Sequence, residues 1–154
     1  MAKVLGLVPY LVAVSFVAWL GGRVTSSNLE SWYRGLRLPA WRPPDWLFGP
    51  VWALLYLLMA VAAWRAARAG ADLTWWWIQL ALNLLWSYVF FGRKQIGLAV
   101  GVILLLLVAI RLTMRSFGMV SPVAGLLLSP YLLWVAFAAL LNVTIWRLNR
   151  SNRT

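Results

Sequence analysis

Cysteine and histidine are both absent from this chain of 154 residues, and only three residues are acidic. The first two absences exclude disulfides, thiolate nucleophiles, imidazole bases and the usual zinc and haem ligands. Neither a Ser-His-Asp nor a Cys-His constellation can form. The three acids, Glu30, Asp45 and Asp72, all fall outside the long apolar runs. No metal site and no resident cofactor is expected. Charge of either sign is scarce, at 11 % of residues, where soluble domains carry about a quarter.

What is abundant is apolar and aromatic: 64 % of residues are hydrophobic and 12 are Trp. Net charge is +11. Basic residues stand singly or in pairs at the ends of apolar segments, not in the stripe a nucleic-acid binder presents. They fit membrane flanks that meet anionic headgroups, so no nucleic-acid partner is expected.

A membrane helix needs about 20 mostly apolar residues. Five runs qualify: 4–22, 46–67, 73–92, 96–114 and 120–146. The first is too long for a cleavable signal peptide and lacks a clear small-x-small site. Short links between later runs make neighbouring helices antiparallel. The expectation is an all-α fold, one domain over 1–154, built as an integral membrane bundle of five transmembrane helices. The long first loop spans 23–45.

Lys and Arg set orientation. The N-terminus and the second and fourth loops carry five: Lys3, Arg65, Arg68, Arg111 and Arg115. The first and third loops and the C-terminus carry nine. This places the first loop and the C-terminus in the cytoplasm and the N-terminus outside. An α-helical bundle with no evident cleavable signal points to a bacterial cytoplasmic membrane.

Pro50 is expected in a helix first turn, where a missing N–H is harmless. Pro130 should kink the fifth helix. Gly97 and Gly101 form a G-x-x-x-G spacing that allows close helix approach. It serves either a homodimer seam or packing inside the bundle.

Polar residues inside apolar spans are few and informative. Gln79, Asn83, Trp86 and Ser87 share one helical face, and Tyr131, Trp134, Ala138, Leu141 and Asn142 share another. Two readings stand: interhelical hydrogen bonds, or a largely apolar pocket with a few orienting groups. Most Trp residues lie near span ends, as aromatic belts do. Trp52, Trp86 and Trp134 lie within or toward the spans, where an indole N–H wants a partner.

One loop is unusual. WYRGLRLPAWRPPDWLFGPVW, residues 32–52, holds four Trp, four Pro and three Arg. With LYLLM at 55–59, QLALNLLWSYVFFGRKQ at 79–95 and PYLLWVAFAALLN at 130–142, it resembles the TspO/MBR family of tryptophan-rich sensory and translocator proteins. The resemblance implies a five-helix membrane bundle, commonly dimeric, with an intrabundle pocket under the first loop. Family ligands are porphyrins such as protoporphyrin IX, sterols and synthetic aromatic drugs, for tetrapyrrole transport, sensing or stress regulation. By motif position the pocket would be lined by Trp52, Tyr56, Asn83, Trp86, Tyr131, Trp134, Ala138 and Leu141. Trp41, Pro43 and Pro44 would cover it. Guanidinium is the preferred carboxylate partner, so Arg34, Arg37 and Arg42 of the same loop are expected to pair with ligand carboxylates, Arg37 and Arg42 foremost. Some members are credited with light-dependent oxidative degradation of protoporphyrin IX, for which Trp52 and Trp134 would be the donors. A lipid or sterol carrier is a further alternative. The chain departs from the family pattern twice. Val143 stands where the sterol-associated Tyr is usual, and Leu38 where a Lys is usual.

Overall fold

Runs of Leu, Val and Ala leave each backbone N–H and C=O one local way to be satisfied without water, the i→i−4 ladder. The computed structural model describes residues 5–150, and among these every regular element is helical. In chain order the elements are α1 (Val8–Leu29), a 3₁₀ turn (Tyr33–Gly35), α2 (Asp45–Arg68) and α3 (Thr74–Ser87). A π-helical turn (Tyr88–Gly92) continues α3, and α4 (Ile96–Gly118), α5 (Pro122–Leu126) and α6 (Ser129–Asn149) follow. Among the described residues, four stretches are long and apolar enough to cross a membrane: Val8–Leu29, Asp45–Arg68, Ile96–Gly118 and Pro122–Asn149. The fifth expected run is the shorter α3 with its π turn.

Boundaries differ from the sequence reading for identifiable reasons. α1 runs past Gly22 because its polar tail satisfies itself: Ser27 Oγ donates to Arg23 O (2.6 Å) and Asn28 Nδ2 to Val24 O (2.8 Å). The first loop shortens accordingly. Pro50 lies in the second turn of α2, not the first. The fifth expected run is interrupted immediately before Pro130, between α5 and α6, and Pro130 itself sits in the first turn of α6. α5 itself is capped by Ser121, whose hydroxyl accepts from Ala124 N (3.3 Å).

α4 packs against α3, α5 and α6, and α1 packs against α2 and α3. Ala60, Ala63 and Ala66 are wholly buried along one side of α2, so its backbone can lie close to its neighbours. Gly125 does the same for α5. A Cβ there would meet the Met114 carbonyl oxygen at 3.0 Å and Gly118 Cα at 3.1 Å. Leu98, Leu105, Leu133 and Leu140 face outward and exposed. Helices apolar on every side belong in lipid.

Two cores result. One centres on Met59, Trp76, Phe117 and Tyr131; the other, under the first loop, on Tyr33, Phe90, Phe91 and Ile145. The loop is tied to the end of α6. Asn149 Oδ1 accepts from Arg37 N and its Nδ2 donates to Arg37 O, both at 3.0 Å. The first loop and the C-terminal end of α6 therefore share one end of the bundle.

Candidate ligand cavity

Between α1, α2, α3 with its π turn, and α6 lies a cavity of about 400 Å³. Its base is a chain of hydrogen bonds across three helices. Tyr56 OH donates to Asn83 Oδ1 (2.9 Å), Asn83 Nδ2 to Tyr131 OH (2.8 Å), and Tyr131 OH to Gln79 Oε1 (2.8 Å). Gln79 Nε2 ends the chain on Met59 Sδ (3.9 Å). Every member is used, so the network fixes the relative rotation of α2, α3 and α6.

Aromatic walls rise from this base. Trp52 lies against Tyr56 and edge-on to Tyr131, with centroids 5.6 and 6.3 Å apart. Trp86 stacks on Phe90 at 5.4 Å. Its indole N–H donates to Asn142 Oδ1 (3.0 Å), and Asn142 Nδ2 donates to Ile96 O (3.1 Å). Trp134 is flanked by Phe48 and Phe137 at 6.0 and 5.9 Å. Its Nε1 is buried with no hydrogen-bond partner in the protein, and so is the hydroxyl of Tyr33. Both residues line the cavity. Burial pushes the Tyr33 phenol up from its ordinary pKa, while the adjacent Arg42 guanidinium opposes the shift.

The rim is ionic. Asp45, the first residue of α2, accepts from Arg34 Nε at 3.0 Å and Arg42 Nη1 at 3.1 Å. Arg34 also reaches Glu30 at 3.5 Å. Arg42 lies 5.9 Å over the Tyr33 ring.

Of the residues expected at a pocket, Trp52, Tyr56, Asn83, Trp86, Trp134, Ala138 and Leu141 line the cavity. Tyr131 lies wholly buried beneath it and orients Asn83. Trp41, Pro43 and Pro44 are off the lining. Trp41 packs on Phe137 at 5.7 Å, and Pro44 is the N-cap residue of α2. Arg37 is anchored through its backbone to Asn149. Gly97 and Gly101 differ: a Cβ on Gly97 would meet Trp146 Nε1 of the same chain at 2.8 Å, whereas Gly101 faces open space.

Sequence reasoning missed Asp45, Phe48, Phe90, Phe91 and the Gly21–Gly22 pair of α1 on the lining. Of the two glycines, Gly21 lies near α3, where an added Cβ would meet Ser87 Oγ at 3.6 Å, whereas Gly22 faces open space. Nothing in the local pattern marked the π turn.

Comparison with known proteins agrees with this architecture. The sequence model of the TspO/MBR family matches residues 4–147. Protein CrtK of Rhodobacter capsulatus is 36% identical over 148 residues, covering 90% of this chain and 92% of that protein. Tryptophan-rich protein TspO of Chlorobaculum tepidum is 41% identical over 140 residues, covering 86% and 89%. The human translocator protein is 38% identical over 152 residues, covering 94% and 90%. With four helices able to cross a bilayer and a family match over nearly its whole length, this chain is an integral membrane protein and belongs to the TspO/MBR family.

Proposed function

We propose that this protein binds porphyrins such as protoporphyrin IX, and related flat hydrophobic ligands, in the cavity between its helices. The observation that carries this reading is the pairing of aromatic walls with orphaned donors. Trp52, Trp86 and Trp134 line one apolar space, and two residues of that lining, Trp134 and Tyr33, carry buried donors, Nε1 and OH, that have no acceptor in the protein. A buried donor left unpaired is unfavourable by about 1–3 kcal/mol. A ligand with a flat ring system and acceptor atoms at its edge would satisfy both features.

In this reading the segment from Thr74 to Gly92 is the fifth transmembrane crossing, its π turn accommodating Phe90 and Phe91 under the loop. The first loop and C-terminus face the cytoplasm of a bacterial cell, and the protein acts as a homodimer in tetrapyrrole transport or sensing. The name of one relative, translocator protein, supports the transport reading.

The test is a titration of the purified protein with protoporphyrin IX in the dark, followed by Trp fluorescence and porphyrin absorbance. Saturable quenching with a shifted absorbance band is expected. Unsaturable partitioning identical to that of empty detergent micelles would sink the reading. Repeating the titration under illumination separates binding from photo-oxidation, because only the latter bleaches the porphyrin in proportion to protein. Trp52 and Trp134 both line the cavity and are the indoles expected to serve as donors in that case.

A further inference from the structure

Among the described lining residues one side chain is charged, and it is an acid. Asp45 faces the cavity, with its side chain 17% exposed. Both of its oxygens are occupied, by Arg34 Nε at 3.0 Å and Arg42 Nη1 at 3.1 Å. Its position at the start of a 24-residue helix further favours a negative charge there. A carboxylate is thus already seated where an anionic ligand would seek guanidinium groups. The expectation that Arg42 receives a ligand carboxylate directly overlooks this occupant.

We propose that Asp45 determines ligand specificity at the rim by acting as a built-in competitor for carboxylates. An incoming carboxylate has to displace Asp45 from Arg42, exchanging one charge-assisted hydrogen bond for another. The exchange is close to neutral, so carboxylates add little to affinity in the native protein. Ring stacking and the orphaned donors then dominate. The favoured class is neutral or esterified aromatic ligands as much as free acids. This inference deepens the porphyrin reading above and rests on it.

The same geometry defines the test. Asp45→Asn keeps size and one acceptor oxygen but removes the competing charge. Protoporphyrin IX and its dimethyl ester are titrated against the native protein and the variant in the dark. The free acid is expected to bind the variant about two- to fivefold more tightly, the range a partly exposed ion pair supports. The ester should be unchanged. Equal loss for both ligands would mean that Asp45 only holds the loop closed, and would overturn the proposal. Unchanged affinity for both would overturn it too.

Arg34→Gln supplies a second reading if Asp45→Asn does not fold. It leaves Asp45 with Arg42, strengthens that hold, and should weaken binding of the free acid but not of the ester. Insensitivity of the free acid to this change would also overturn the proposal. If the native protein binds neither porphyrin, the porphyrin reading has failed; if it binds the free acid but not the ester, carboxylates dominate affinity and this refinement is overturned.

Discussion

The base of the cavity and its mouth are built on opposite rules. At the base, Tyr56, Asn83, Tyr131 and Gln79 spend their hydrogen-bonding groups on one another. Toward the mouth, Tyr33 OH and Trp134 Nε1 are equally hidden from solvent yet donate to nothing in the protein. Both regions are aromatic and both are drawn from three or more elements. The difference separates two uses of buried polarity. A closed network specifies helix packing and resists change. An open donor is a standing demand for an acceptor.

The largest effect is expected at the base. Asn83→Ala removes the acceptor of Tyr56 and the donor to Tyr131 in one step. Two buried groups lose partners in a site with little water, at about 2–3 kcal/mol. Thermal unfolding in detergent should show a clear drop, whether or not ligand is added. A variant as stable as the native protein would show that the network is decoration, and the comparison would collapse.

Steric occupancy shows the same contrast along α4. Gly97 is already filled against by Trp146, whereas Gly101, one turn on, has nothing within 4 Å of a built Cβ. Gly97→Leu must push the Trp146 indole aside, an overpacking of about 1–3 kcal/mol. Gly101→Leu should leave stability intact and alter only contacts between copies. Light scattering in detergent separates them: a folded monomer from Gly101→Leu would place a dimer seam at Gly101. An unchanged mass would remove that face from any seam.

At the mouth the prediction inverts. Trp134→Phe deletes a donor that bonds nothing, so unfolding temperature should hold or rise slightly. Porphyrin affinity should fall by about 1 kcal/mol, near fivefold, through lost stacking area and a lost hydrogen bond. A fluorescence titration checks the second half and a melt checks the first. Loss of stability with affinity intact would reverse the assignment of base and mouth.

Helix periodicity made part of this legible. Gln79, Asn83 and Trp86 share a face by spacing alone, and that face does turn inward. The family's motifs led to Trp52, Trp134, Ala138 and Leu141. What could not be read were features that depend on side chains answering one another across the fold. Polar residues at the end of α1 looked like loop, but Ser27 and Asn28 bond back to carbonyls and prolong the helix. Asp45 looked like one acid in a basic loop, since its two arginine partners are fixed only when the loop folds over α2. Pro44 and Trp41 have contacts that the sequence did not show, Pro44 as the N-cap residue of α2 and Trp41 against Phe137.

The smallest effect lies at the other end of the molecule and tests whether the contrast is confined to the cavity. Asp72, in the link before α3, accepts from the Thr74 hydroxyl at 2.7 Å and from Thr74 N at 2.9 Å. These bonds, hydroxyl first, hold its carboxyl below its ordinary pKa. A depressed pKa in the folded state means stability that is present above the unfolded value of about 3.9 and is lost as pH falls through the folded value. Asp72→Asn should therefore lower the unfolding temperature slightly near neutral pH. The gap between variant and native protein should close in acid, once the native carboxyl is protonated. The site is fully open to solvent, so the difference will be small. A gap that stays constant as pH falls well below the unfolded value of about 3.9 would show that the advantage of Asp72 over the amide does not depend on its charge.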